Sequence, residues 1–137
     1  MEGTKKAEAV VTVDVYTAKG LLSIDYQYLD VRTEEEFSKS HVGGALNVPY
    51  MFKAPEGKVK NPDFLSNVAS ICKKEDQLVV GCNSGGRSLL ACVDLLNAGY
   101  VHARNMEGGY SKWVDSGLAE DQGKPPEELK TACKFRP

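Results

Sequence analysis

Apolar and polar positions fall into short blocks along the chain, and the period of the pattern changes from block to block. Residues 10–13 are an apolar run that predicts a strand. Asp14 is then placed to cap a helix reaching about Leu22, with Ala18, Leu21 and Leu22 on its apolar face. Residues 28–31 predict a second strand. Thr33 and Glu36 follow at capping-box spacing, where hydroxyl and carboxylate satisfy each other's backbone amides, so a short acidic helix is expected there. Residues 45–48 predict a third strand, closed by Pro49. The stretch 50–60 contains Pro55 and Gly57 and has no period, which predicts a loop. Asn61 and Pro62 supply a cap and a first-turn proline for a helix through about Cys72.

The second half repeats this alternation. Residues 77–81 are continuously apolar from Leu78 to Val80, the pattern of a strand covered on both faces of a parallel sheet. After the loop CNSGGR, residues 88–98 predict a helix whose stripe is Leu89, Leu90, Val93 and Leu96, ended by a left-handed Gly99. Residues 102–106 predict the last strand, and Gly108-Gly109 lead into a helix containing Trp113 that stops at Gly117. There is no internal repeat. Strands alternating with helices specify an α/β fold, a central mostly parallel sheet flanked by helices in a single domain. The expected organisation is an N-terminal extension over 1–9, the domain over 10–118, and a polar, proline-punctuated tail over 119–137.

Composition narrows the function classes. At 137 residues one core holds the fold without disulfides or a metal. Lys and Arg number 17 against 19 Asp and Glu, a net charge of −2, which excludes a broad basic footprint for nucleic acid. No apolar run approaches the ~20 residues of a membrane span. Four cysteines, Cys72, Cys82, Cys92 and Cys133, show no short paired spacing, and with two histidines they give no metal-ligand pattern. The opening MEGTKKAEAV lacks a signal-like apolar core and a transit-like Arg/Ser bias, so a reducing, cytoplasmic location is expected, with an organelle left open for a trimmed precursor. Cys72 and Cys92, on predicted helices beside apolar residues, read as core side chains. Trp113 and Tyr110 read as core or cleft-wall residues.

Cys82 is different. It is the first residue after the buried strand, and ligands of open α/β sheets bind beyond the carboxyl ends of the strands. Asn83, Ser84, Gly85, Gly86 and Arg87 follow, with two glycines able to turn successive N–H groups inward as an anion nest. The helix that opens at Ser88 adds partial positive charge, and Arg87 adds a full one on a planar fork suited to an oxyanion. All three favour thiolate over thiol. A free cysteine is only about 3% ionised at neutral pH, whereas a pKa lowered by about two units, roughly 2.7 kcal/mol, makes most of it nucleophilic.

Four segments, YLDVRTEEEF, HVGGALNVPY, CNSGGRS after LVVG, and MEGGYSKWVDSGL, occur in an order that resembles the single-domain rhodanese family over residues 10–118. The resemblance implies a rhodanese-like fold and a Cys82 that carries a transferable sulfur as a persulfide. It would receive sulfur from thiosulfate or another sulfane-sulfur donor and pass it to cyanide or to a thiol such as glutathione, thioredoxin or glutaredoxin. Asn83, Ser84, Gly85, Gly86, Arg87 and Ser88 would form the anion cradle. Asp30 and Arg32 would support neighbouring loops or contribute charge to the substrate, and His41 would be structural. No cofactor is implied.

Cysteine phosphatases place five residues between Cys and Arg, and only four separate Cys82 from Arg87, which favours sulfur chemistry. The segments NPDFL and VPYMF and the tail KPPEELKTACKFRP are also similar to the plant "high arsenic content" arsenate reductases of this fold. That branch implies attack of Cys82 on arsenate, with glutathione and glutaredoxin as external reductants. A non-catalytic interaction module is the remaining alternative, and the presence of Cys82 argues against it. In the tail, Cys133 lies among Lys130, Lys134 and Arg136 and is either an idle exposed thiol or a resolving one.

Overall fold

The computed structural model describes residues 7–55 and 57–119. Strands β1 (Val11–Val13), β2 (Gln27–Asp30) and β3 (Leu46–Asn47) are followed by a pair, β4 (Met51–Ala54) and β5 (Gly57–Lys60), and then by β6 (Leu78–Gly81) and β7 (Ala103–Met106). The helices are α1 (Val15–Leu22), α2 (Glu34–Lys39), α3 (Phe64–Ala69), α4 (Gly86–Asn97) and α5 (Gly109–Asp115). Five strands pair in the order β1-β7-β6-β2-β3, and every pairing is parallel.

The central strand β6 explains its own composition. Each of its residues is buried, because side chains alternate between two cores. Leu78 and Val80 join Leu29, Phe64, Val68, Ala91 and Leu95 on the side covered by α3 and α4. Val79 joins Tyr28, Val15, Ala18, Phe37 and Trp113 on the side covered by α1, α2 and α5.

The local signals act as expected at several ends. Asp14 accepts from the Thr17 amide at 2.7 Å at the start of α1. The capping box of α2 is complete, with the Glu36 amide donating to Thr33 Oγ1 at 3.2 Å and the Thr33 amide donating to Glu36 Oε1 at 3.0 Å. Gly99, at φ +102°, takes the left-handed turn that follows α4.

Four features differ from the pattern-based expectation. Residues 50–60 are not simply a loop: β4 and β5 pair antiparallel, Met51 against Lys60 through Ala54 against Gly57. All of β5 is exposed, so backbone pairing rather than a buried face forms this hairpin, and hydrophobic periodicity has nothing to report. Helix α3 starts later and ends earlier than predicted. Asn61 Oδ1 accepts from the Asp63 amide at 2.9 Å while its Nδ2 donates to the Pro49 carbonyl at 2.9 Å, so it anchors a turn ahead of the helix. Cys72 consequently lies past the end of α3, still buried.

Helix α4 begins at Gly86 rather than Ser88, and its buried face is Ser88, Ala91, Cys92, Leu95 and Leu96, with Leu90 49% exposed. A buried serine holds a place in the inward stripe that a purely apolar pattern assigns to leucine. Finally, β2 runs one residue earlier than expected and β3 has two residues. Asp30 is therefore the last residue of β2, beside Gly81 at the end of β6.

Candidate active site

Cys82 is held where β6 ends, buried at 1% exposure, with the loop over it turned by Gly85 at φ +113°. Gly85 takes a left-handed backbone that other residues rarely adopt, and from it α4 starts. The Gly85 amide donates to Cys82 Sγ at 3.0 Å, and Ser88 Oγ lies 3.5 Å from the same sulfur. Burial pushes the Cys82 thiol up. The Ser88 hydroxyl and the amides of Ser88, Gly85 and Ser84 outweigh it and hold the thiol below the ordinary cysteine range. The other described cysteines go the opposite way. Burial raises Cys72 to about 11 and Cys92 to about 12, so both remain protonated at neutral pH.

Helix α5 braces the loop from below. The Tyr110 amide donates to the Cys82 carbonyl at 2.7 Å and the Ser111 amide to the Asn83 carbonyl at 3.0 Å. This approach needs Gly109: at φ +62°, a Cβ there would lie 2.5 Å from the Cys82 carbonyl oxygen and 2.6 Å from the Asn83 carbonyl carbon.

Arg87 differs from expectation. Its guanidinium does not stand free over the loop but grips Glu36 through two bonds, Nη1 to Oε1 at 2.9 Å and Nη2 to Oε2 at 3.2 Å. Burial pushes the Glu36 carboxyl up, yet its bonds from Arg87 and from Thr33 prevail and bring it to about 2. The fork expected to meet an oxyanion is thus engaged by a carboxylate, and the backbone donor that faces Cys82 Sγ is the Gly85 amide. Glu36 is legible in sequence only as a capping residue. Its second role depends on a partner 51 positions away.

Asp30 and Arg32 form a buried pair, with Nη2 to Oδ2 at 2.8 Å and Nε to Oδ1 at 3.0 Å. Arg32 also donates to the Ser40 carbonyl at 2.8 Å and lies over the Tyr110 ring, 4.4 Å from its centroid. It therefore ties β2, the end of α2 and α5 together. His41 Nδ1 lies 2.7 Å from the Phe37 carbonyl and its ring stacks on Phe37 at 3.6 Å. Asn83 and Ser84 are exposed at the loop tip. Cys133 lies outside the described residues.

Among the described residues no three His, Cys, Asp or Glu side chains converge as metal ligands, and no helix is long and apolar enough to cross a membrane. A groove of about 610 Å³ lies at the opposite end of the strands from Cys82, between Tyr16, Lys19, Tyr26, Gly43 and Trp113.

Residues 15–116, a span that includes Cys82 and its backbone cradle, fit the family model described as the rhodanese-like domain. The chain belongs to the rhodanese family. Over its full length this rhodanese is 68% identical to "Protein HIGH ARSENIC CONTENT 1, mitochondrial" of Arabidopsis thaliana, covering 81% of that protein. It is 50% identical to "Thiosulfate sulfurtransferase 18" of the same plant, over 84% of this chain and 86% of the relative. A further relative is "Thiosulfate sulfurtransferase 16, chloroplastic", 50% identical over 78% of this chain and 89% of that protein.

Solved structures agree on the architecture. A rhodanese-like domain from Anabaena superposes with TM-score 0.65 at 22% identity, covering 77% of this chain and 74% of that one. A human single-domain sulfurtransferase gives TM-score 0.59 at 31% identity, covering 76% and 95%.

Proposed function

We propose that this rhodanese reduces arsenate, with Cys82 as nucleophile and an external thiol as reductant. The observation that carries this reading is the 68% identity, running the whole length of the chain, to a plant protein named for high arsenic content. That full-length similarity moves arsenate reduction ahead of sulfur transfer, the order opposite to the one the motifs alone imply. The site chemistry supports it. A thiolate stabilised by backbone amides attacks the arsenic of a tetrahedral oxyanion and displaces one oxygen as water, giving a Cys82–S–As(V) adduct. Glutathione then attacks the Cys82 sulfur, the electron pair of the S–As bond passes to arsenic, and arsenite leaves. The resulting Cys82–glutathione disulfide is opened by a second thiol, glutathione or glutaredoxin. The sum is arsenate plus two thiols giving arsenite, one disulfide and water. An external resolving thiol suits a site in which Cys72 and Cys92 are buried and held protonated.

Sulfur transfer by the same cysteine is the second reading, favoured by the two relatives named thiosulfate sulfurtransferase. Here the Cys82 thiolate attacks the outer sulfur of thiosulfate, sulfite leaves, and cyanide or a thiol takes the sulfur from the persulfide. The amides that face Cys82 Sγ would hold the persulfide charge. The relatives named mitochondrial and chloroplastic support an organellar location beside the cytoplasmic one expected from the sequence, and subcellular fractionation separates them.

The deciding experiment uses one preparation. Arsenite formation from arsenate with glutathione and glutaredoxin is measured beside thiocyanate formation from thiosulfate and cyanide. Cys82→Ser should lose both by at least about 1,000-fold. Thiocyanate without arsenite would remove the first reading and leave the second, and full activity of Cys82→Ser in either assay would overturn the shared nucleophile.

A further inference from the structure

Ser88 Oγ carries one proton and has three neighbours. It lies 3.5 Å from Cys82 Sγ, 3.1 Å from the Gly85 carbonyl oxygen and 2.5 Å from Asn105 Oδ1. Asn105 sits on β7, 5% exposed, and its Nδ2 lies 3.4 Å from Thr12 Oγ1 on β1. With the Ser88 proton directed at Asn105, the lone pairs of Ser88 face Cys82, an arrangement that suits a thiol donating to the hydroxyl. A thiolate needs the reverse, a hydroxyl donating to sulfur. Asparagine meets both demands because its amide carries an acceptor and a donor at nearly equivalent positions.

We propose that Asn105 is a positioning residue for the Cys82 nucleophile. Turning its amide end for end reverses the hydrogen-bond chain Thr12–Asn105–Ser88–Cys82, so that Ser88 accepts from the thiol and donates to the thiolate. In the turned state Nδ2 donates to Ser88 Oγ, Oδ1 accepts from the Thr12 hydroxyl, and every polar atom in the chain keeps a partner. Aspartate or leucine at this position could not do both. The inference rests on Cys82 being the nucleophile and not on which electrophile it attacks.

The ionisable groups that share the field of Cys82 are Tyr28 on β2 and Arg87 and Cys92 on α4, with Glu36 bound to Arg87. Burial keeps the phenol and the Cys92 thiol protonated, Arg87 remains charged and Glu36 ionised, so none changes state between about pH 5 and 10. Helix α5 meets Cys82 through the Tyr110 amide.

The test is the pH dependence of Cys82 alkylation by iodoacetamide, read on the Cys82 peptide by mass spectrometry, in wild type, Asn105→Leu, Ser88→Ala and the double variant. Asn105→Leu should raise the midpoint by about half a unit to one unit, the worth of one hydrogen bond. The double variant should sit no higher than Ser88→Ala alone. An unmoved midpoint in Asn105→Leu, or an equal rise when Ser88 is already alanine, overturns the proposal. The unsubstituted protein provides a second reading that needs no folded variant at Asn105. The side-chain amide resonance of Asn105 should titrate at the Cys82 midpoint, and a flat signal overturns the proposal. Arsenate and thiosulfate turnover are scored separately. Their absence beside the expected alkylation profile would overturn the proposed function and leave this inference standing.

Discussion

Replacing Glu36 by glutamine tests how the active-site loop is anchored. The substitution keeps the shape of the side chain and removes the charge that Arg87 grips with bonds of 2.9 and 3.2 Å. The Glu36 carboxyl is lowered from 4.5 to about 2, because Arg87 and Thr33 outweigh burial. Taken whole, that depression is an upper bound of about 3.4 kcal/mol. Glu36 keeps 31% of its side-chain surface in water, so solvent screening reduces it to about 2 kcal/mol. The folded value lies below the unfolded one, so this stability is fully present above about pH 4.5 and is lost as pH falls toward about 2.

Urea unfolding of wild type and Glu36→Gln, followed at pH 7 and pH 3, reads the difference directly, since carboxylates common to both proteins cancel. A deficit of about 2 kcal/mol at pH 7 should shrink to less than about 1 kcal/mol at pH 3. Equal deficits at the two pH values would show that the loss is steric and would refute the ion-pair account. Cys82 alkylation should also slow in Glu36→Gln, because the first turn of α4 loses its tether to α2.

Three other outcomes follow from the same geometry. Gly109→Ala would drive a Cβ into the Cys82–Asn83 carbonyls at a left-handed backbone position, and should destabilise the fold by at least about 2 kcal/mol in thermal unfolding while lowering turnover. Retained stability and activity would show that α5 is not braced on the loop. Asp30→Ala leaves the Arg32 guanidinium buried without its carboxylate and should lose about 3–5 kcal/mol by urea unfolding, against less than about 1 kcal/mol if Arg32 were effectively solvated. Tyr28→Phe deletes a buried hydroxyl that has no partner among the described residues, and its melting temperature should stay level or rise; a fall of several degrees would place a water or other acceptor there.

Much of this site is readable along the chain because it is built from neighbours. The nucleophile directly follows an apolar strand, and the loop that covers it is six residues long from Cys82 to Arg87. The capping box of α2 spans Thr33 to Glu36, within one helical turn. Each of these depends on backbone groups a few positions apart, which is the range over which a residue pattern carries information. The hairpin β4–β5 escaped the pattern for the converse reason: it is formed by backbone pairing with little buried apolar surface, so no periodicity marks it.

The order of residues along the chain specifies the alternation of strands and helices and sets the thiol at the carboxyl end of β6. The tertiary structure decided which groups complete the site. The parallel order β1-β7-β6-β2-β3 sets β2 and β7 on either side of β6. It thereby brings Glu36 to Arg87 and Asn105 to Ser88, pairs separated by 51 and 17 positions. The rotational phase of α4 was decided the same way: buried Ser88, satisfied by Asn105, faces inward while Leu90 faces solvent. A polar residue is accepted into a core only when a partner is present, and that partner is visible only after the strands are ordered.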